Sequence, residues 1–402
     1  MENKGVSTDH ATEKFILKGK VIQKDRILKN GYVLVANGRI AGLEERMPEW
    51  ENAAFIDVGD HYISPGFIDI HVHGGGGHDF MDGTTNAFLK VAEMHARHGT
   101  TSMLPTTLTA DLNGILHTIE TYRQSNSLNT KGASFLGLHL EGPYFSMAQR
   151  GAQDPRFIRD PDPVEYTEIL RHSDVIRRWS IAPEKKGALE LGRLLKAQGI
   201  LPSMAHTDAI YEEAYEAWQN GFSLLTHFYS AMSGVTRKNA FRYAGVIEAG
   251  YLHDELDVEI IADGVHLPAP LLKLIMKIKG TEHVALITDA MRGAGMPEGP
   301  SILGPIDSGI QVLIEDGVAK LPDRSAFAGS VATADRLIRT MMDLADVSLV
   351  DAVRMMTSTP ASILKVSDSI GTLEKGKDAD LVIFDDRINI KQVMIKGRLM
   401  NS

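Results

Sequence analysis

The chain contains no cysteine, which excludes disulfides, a thiol nucleophile and thiolate metal ligands, so any metal must be held by nitrogen and oxygen. It also lacks a Lys- or Arg-rich block, and 42 basic against 52 acidic residues leave a formal net charge of −10. That balance argues against nucleic acid or an anionic membrane surface as partner and favours a small molecule. No uninterrupted apolar run is long enough to cross a bilayer, and the polar opening MENKGVSTDHAT has no apolar segment of the secretory kind; cytoplasmic residence is the expectation. Low-complexity tracts and sequence-level repeats are missing as well.

What remains is a chain of 402 residues, 43% hydrophobic, able to bury a large core and long enough for two or three domains. Phe15 to Glu45 reads as short alternating strands with a tight turn at Asn37-Gly38, a small β-domain. The same style returns in GTLEKGKDADLVIFDD and KQVMIKGRLM. Residues 13–59 and 368–402 are therefore expected to complete one small β-sandwich domain, with the rest inserted between them. Over 60–367, β-like runs alternate with helical ones, which predicts parallel strands with crossover helices. Thr84-Thr85 before NAFLKVAEMHARH and Gly99 after it supply start and stop signals, and Gly199 and Gly221 repeat the stop. Gly293 to Gly329 breaks the rhythm: it is Gly/Pro-rich, carries the hairpin-like IQVLIEDGVAKLP, and reads as an insertion near the rim, a candidate lid.

The chemistry begins in SPGFIDIHVHGGGGHDF. His71 and His73 are alternate residues of a β-like run, so their imidazoles share one side. Alone, such a pair is weak evidence for a metal. Further on, LHLEGP, MAHTDA, LTHFYSAM, IADGVH and ITDAM are apolar runs that end in Glu, His or Asp and then turn. A parallel α/β barrel presents its catalytic residues at the C-terminal rim in this way. Glu141, His206 and His227 together are a common ligand set for a hydrolytic divalent metal, with a position left for water. Asp289 ends a nearly continuous apolar run, where a carboxylate is costly unless paired or used. It suits a general base that then becomes the general acid. His266, in the DGVH turn, is placed to polarise a substrate carbonyl or bind a ligand oxygen.

These motifs, with FAGS and the closing G-x-L-x-x-G-x-x-A-D-L, resemble the N-acetylglucosamine-6-phosphate deacetylases of the amidohydrolase superfamily, from the first β-domain to the last strand. The resemblance implies a (β/α)8 TIM-like barrel, a principal metal on Glu141, His206 and His227, Asp289 as general base and His266 against the substrate. Some members hold a second metal through H-x-H, so His71 and His73 leave a two-metal site bridged by Glu141 open; zinc, iron, manganese or cobalt would serve. Substrate contacts are implied for Ala152, Ser230, Ala231, Phe327, Ala328 and Gly329.

The departures from the family pattern cluster where sugar and phosphate belong. Arg150-Gly151-Ala152-Gln153 stands in place of K-G-A-H, Ser230 replaces the usual Asn, and the phosphate-binding Arg that the family supplies from the neighbouring subunit of a homodimer has only Arg237, Lys238 and Arg242 nearby. A Gln can bond a phosphate without the charge of a protonated His. The implied activity is removal of acetate from N-acetylglucosamine 6-phosphate in amino-sugar catabolism. Its alternatives are a galacto or unphosphorylated substrate, another amidohydrolase acting on a cyclic amide or a different acylated amine, or a non-catalytic sugar-phosphate-binding regulator on the same fold.

Overall fold

A computed structural model describes residues 14–400; the opening dodecapeptide and residues 13, 401 and 402 of the expected β-domain lie outside the described residues. Eight parallel strands alternate with helices: Phe67–Val72, Thr100–Pro105, Leu138–Glu141, Ile176–Ile181, Leu201–Met204, Leu224–Leu225, Asp257–Ile260 and Val284–Leu286. Ladders and a bridge from Thr106 to His139 join them in that order. The ring closes between the eighth and the first, where Asp289 N donates to His71 O at 2.9 Å and His73 N to Ala290 O at 2.8 Å. This is the TIM-like barrel that the βα rhythm and the family resemblance imply.

The local chemistry explains the elements. The helix Thr85–Arg97 starts where the Thr84 side chain accepts from Ala87 N and stops at Gly99, whose φ of +92° few residues other than glycine adopt. Its buried positions Phe88, Val91, Ala92 and His95 recur at helical spacing and pack against the barrel wall. Apart from exposed Arg177 and the half-buried Leu201 and Asp257 near strand starts, the strands are buried, as parallel strands covered on both faces must be. Inside the barrel lies a fully buried ion pair, Arg178 with Glu259. Arg178 is also bonded to Ser203 Oγ, Thr226 Oγ1 and Ile70 O, so the desolvation of its charge is offset by a complete donor set.

Both ends of the chain build one seven-stranded sheet, in the order Arg398–Leu399, Ile390–Ile395, Leu381–Phe384, Ala54–Pro65, Lys14–Ile22, Ile27–Ala36, Arg39–Glu44. The sheet curls until its two edges meet. Gly38 of one edge turn and Gly397 of the other approach so closely that a Cβ on Gly397 would lie 2.6 Å from Gly38 Cα, and Ala379 N donates to Gly38 O. Val33 and Val35 thereby share a core with Ile383 and Met394. The expected sandwich is thus two halves of one hydrogen-bonded sheet. Its strand Ala54–Pro65 crosses the expected boundary at residue 59, because Tyr62 to Pro65 are needed to pair with Leu381–Phe384.

Two long excursions decorate the C-terminal rim. One is the exposed hairpin Thr236–Lys238 with Phe241–Tyr243; the other is a four-stranded sheet, Gly299–Leu303, Ile310–Glu315, Val318–Lys320 and Phe327–Ser330, which realises the insertion expected over 293–329. Among the described residues, no helix is long and apolar enough to cross a membrane.

Candidate active site and metal centre

Six side chains converge at the C-terminal ends of the barrel strands. Oε1 of Glu141 lies 3.3 Å from His71 Nε2, 3.4 Å from His206 Nε2 and 3.2 Å from His227 Nε2, and its Oε2 lies 3.4 Å from His73 Nε2. His71 and His73 are 3.2 Å apart at Nε2, as are His206 and His227. Asp289 Oδ1 sits 3.1 Å from His73 Nε2 and 3.4 Å from His71 Nε2. His71–His73–Glu141 and Glu141–His206–His227 therefore form two buried triads that share one carboxylate.

The donor set fits divalent cations. Two ligand atoms each about 2.1 Å from one ion, at angles between octahedral and tetrahedral, lie about 3.0–3.4 Å apart, which is the spacing observed. Two bare imidazole nitrogens facing each other have no attraction of their own. The electrostatics agree: burial would lower the His71 pKa, yet the carboxylates of Asp289 and Glu141 raise it to about 10, so the centre favours positive charge. Burial would raise Glu141, yet the histidines around it hold it well below the usual carboxylate range. Asp289, likewise opposed by burial, is held low by His71 and His73 and stays in its basic form.

The backbone aims these groups at some cost. His206, His227 and Asp289 have φ of +45°, +34° and +46°, a left-handed region that side chains other than Gly and Asn rarely occupy. The strands themselves end earlier than the apolar runs suggest: His206 and His227 each lie two residues past a strand and His266 six, so tight turns deliver the rings. His206 Nδ1 donates to Gln149 O at 2.8 Å and His227 Nδ1 to Ser230 O at 3.1 Å. Each bond places the proton on Nδ1 and leaves Nε2 as the ligating lone pair. The H-x-H pair is less anchored, since His71 Nδ1 and His73 Nδ1 have no hydrogen-bond partner; Glu259 Oε2 stands 3.6 Å from His71 Nδ1.

Above the cluster opens a cavity of about 580 Å³, reached by His73, Glu141, His206, His227, His266 and Asp289. His266 Nδ1 donates to Asp263 Oδ2 at 2.8 Å, while Asp263 Oδ1 takes the amides of Val265 and His266; the ring packs on Phe327, 4.6 Å between centroids. Ala152, Gln153, Ser230, Ala231, Phe327 and Gly329 line the walls.

Of the remaining expected contacts, one falls elsewhere, one group is expected only from a second subunit, and one lines the wall but is turned to the metal cluster. Ala328 faces away into a core with Met291 and Ile314, because alternate residues of its strand point to opposite sides. Arg237 and Arg242 face each other across the exposed hairpin, which projects from the rim; neither they nor Lys238 line the cavity of their own chain. Gln153 does not point out toward a ligand: its Nε2 donates to Glu141 Oε2 and its Oε1 accepts from Thr109 N. Sequence reasoning missed Asp263, which orients His266, and Glu259 with Arg178 beneath His71. The D of the DGVH turn was the one available signal.

An eight-stranded parallel barrel with a His/Glu cluster and an ionised Asp at its C-terminal rim defines a metal-dependent hydrolase of the amidohydrolase type. Residues 62–400 match the model of the amidohydrolase family. An N-acetylglucosamine-6-phosphate deacetylase of Vibrio furnissii is 33% identical, covering 96% of this chain and 93% of its own length. An N-acetylgalactosamine-6-phosphate deacetylase of Escherichia coli O157:H7 is 32% identical, covering 94% and 97%. Among solved structures, the N-acetylglucosamine-6-phosphate deacetylase of Pasteurella multocida superposes with a TM-score of 0.90 at 26% identity, covering 97% of this chain and 100% of that one. A mutant of the Mycobacterium smegmatis enzyme in complex with N-acetyl-D-glucosamine-6-phosphate superposes at 0.88 with 29% identity, covering 96% and 99%. The chain belongs to the amidohydrolase family, among the N-acetylglucosamine-6-phosphate deacetylases.

Proposed function

We propose that the protein hydrolyses the acetamide of N-acetylglucosamine 6-phosphate to glucosamine 6-phosphate and acetate, in cytoplasmic amino-sugar catabolism. The observation that carries this reading is the pair of triads sharing Glu141 with ionised Asp289 3.1 Å from one of them. Glu141, His206 and His227 would hold the principal ion, and His71 and His73 with Glu141 a second; zinc, iron, manganese or cobalt suits such nitrogen and oxygen ligands. When bound, a divalent cation supplies Lewis acidity, acidifying water and drawing charge from an acyl oxygen.

The chain's own residues do the rest. Asp289 takes the proton of the attacking water on Oδ1 and returns it to the departing amine nitrogen, so that one carboxylate serves as base and then as acid. His266, its Nδ1 committed to Asp263, offers Nε2 to the acyl oxygen as charge develops there. The insertion wall, through Leu303, Leu321 and Phe327, excludes water from the sugar. A homodimer would bring the Arg237/Arg242 hairpin of one subunit toward the site of the other. Retention of an ionised Asp289 disfavours a non-catalytic binder, which has no use for a proton shuttle.

The galacto substrate is the second reading, favoured by a relative of that name at 32% identity beside the gluco relatives at 30–33%. Acetate release from gluco and galacto N-acetylhexosamines, each with and without the 6-phosphate, tests both. Turnover should be highest on the gluco phosphate; no acetate from any of the four by metal-replete protein would sink the deacetylase reading.

A further inference from the structure

A metal-ligating imidazole holds its ion through one ring nitrogen and is aimed through the other, whose N–H is commonly given to a carboxylate or a carbonyl oxygen. His206 and His227 make such bonds, to Gln149 O and Ser230 O. His71 makes none: its Nδ1 is buried without a hydrogen-bond partner. The acceptor that faces it is Glu259 Oε2, 3.6 Å away, on the seventh barrel strand and fully buried.

That carboxylate is held from behind and has capacity left in front. Arg178 commits all five of its N–H groups: two to Glu259, and the others to Ser203 Oγ at 2.9 Å, Thr226 Oγ1 at 2.7 Å and Ile70 O at 3.2 Å. One guanidinium therefore grips both the backbone just before His71 and the carboxylate behind its ring. A carboxylate has room for about four hydrogen bonds, so the two from Arg178 leave Glu259 Oε2 able to accept another. His139, edge-on to His71 with 4.6 Å between centroids, is no rival acceptor, because its Nδ1 lies 3.2 Å from Thr106 Oγ1 and its Nε2 2.7 Å from Ser180 Oγ. A buried ion pair gains little over apolar residues of the same volume. Stability alone does not account for one placed directly behind His71.

We propose that Glu259, held by Arg178, is the positioning residue of the H-x-H site: it accepts the Nδ1–H of His71, leaves Nε2 as the lone pair facing Glu141, and sets how tightly the second ion binds. This rests on the two-ion reading above and adds the group that decides the affinity of its weaker half. The 3.6 Å reach exceeds the 2.8 and 3.1 Å bonds behind His206 and His227, and His73 Nδ1 has no partner. The H-x-H site therefore remains the looser of the two.

The test compares wild type, Arg178→Leu/Glu259→Leu, Arg178→Met/Glu259→Gln and His71→Asn/His73→Asn, each stripped and then titrated with zinc against a chromogenic chelator, with denaturant melts to check folding. Both charges are removed together because either one alone would be left buried and unpaired. Arg178→Leu/Glu259→Leu should bind the first zinc as wild type does and the second about 10- to 100-fold more weakly. Arg178→Met/Glu259→Gln restores a neutral acceptor oxygen and should recover part of that loss. In zinc-loaded wild type, NMR of ¹⁵N-labelled histidine should show the His71 Nδ1 proton shifted downfield by its carboxylate acceptor, a measurement that stands even where a variant fails to fold. A second zinc bound equally well by folded Arg178→Leu/Glu259→Leu, an equal loss at both ions, or a His71 Nδ1 proton without that shift would overturn the role of Glu259 and leave the two-ion reading intact. A wild type that binds a single zinc, with His71→Asn/His73→Asn binding the same, would overturn the two-ion reading itself, and this inference with it.

Discussion

Gln153 donates its side-chain amide to Oε2 of Glu141 at 2.5 Å, while its carbonyl accepts from the backbone amide of Thr109 at 2.9 Å. One residue thus ties the shared carboxylate to the loop that follows the second barrel strand. Groups behind a ligand commonly change metal affinity about 10- to 100-fold when removed. Gln153→Ala should weaken divalent metal binding by that order, read by competition with a chromogenic chelator. Unchanged affinity would mean that the contact is incidental.

Asp289→Asn keeps the size of the side chain and removes the proton acceptor. Turnover should fall about 10²- to 10⁴-fold, the usual weight of general acid–base catalysis, with metal content and thermal stability little altered. Elemental analysis beside a steady-state assay separates the outcomes; near-normal turnover in a metal-replete variant would remove Asp289 from the proton path.

The two triads should differ in strength. His206 and His227 are oriented by Gln149 O and Ser230 O, whereas the Nδ1 atoms of His71 and His73 are unbonded. The joint variant His71→Asn/His73→Asn should lose one equivalent of metal and keep the other. Dialysis of wild type against increasing chelator should strip the metal in two steps, the H-x-H ion first. A single cooperative step, or an unchanged metal content in the variant, would contradict a weaker second site.

Asp380 offers a pH test away from the metals. Buried beside the last strands, its carboxyl is pushed up to about 7 by burial, although Oδ1 accepts from Lys396 N at 2.7 Å. The folded state therefore holds the proton more tightly than the unfolded chain. Stability from this group is complete below about pH 4 and is lost as pH rises through 7. A displacement from 3.8 to about 7 is worth of order 4 kcal/mol. Asp380→Asn should stabilise the protein relative to wild type more at pH 8 than at pH 5, measured by denaturant melts; a pH-independent difference would show that the carboxyl is neutral or ionised throughout.

Much of the architecture was legible because it rests on local chemistry. Buried parallel strands read as apolar runs, and the Thr84 cap and Gly99 stop mark a helix without reference to the rest of the chain. The convergence of His71, His73, Glu141, His206, His227 and Asp289 was legible for a related reason: in such a barrel, strand order brings the ends of successive runs to one rim. Where a side chain points depends instead on atoms far away in sequence. The inward turn of Gln153 needs the amide of Thr109, and Ala328 faces its core because the pleat of its strand turns it from the cavity. Arg178 in IRRWSI looks like an exposed charge until Glu259, 81 residues on, meets it inside the barrel. Left-handed backbone at His206, His227 and Asp289 leaves no compositional trace, since none is a glycine.

The curled sheet that joins the two ends also sets an order of assembly. The strand Ala54–Pro65 pairs on one side with Lys14–Ile22 and on the other with Leu381–Phe384, so its second partner leaves the ribosome more than 300 residues later. Contacts so distant form slowly, and until they form that strand offers an open edge to any other chain. Within the barrel, neighbouring strands follow one another in sequence except at the closure between the eighth and the first, so most of its pairings have no such wait. A chain interrupted before Leu381 would carry every metal ligand and still be marked, by that one unpaired edge, for aggregation or proteolysis.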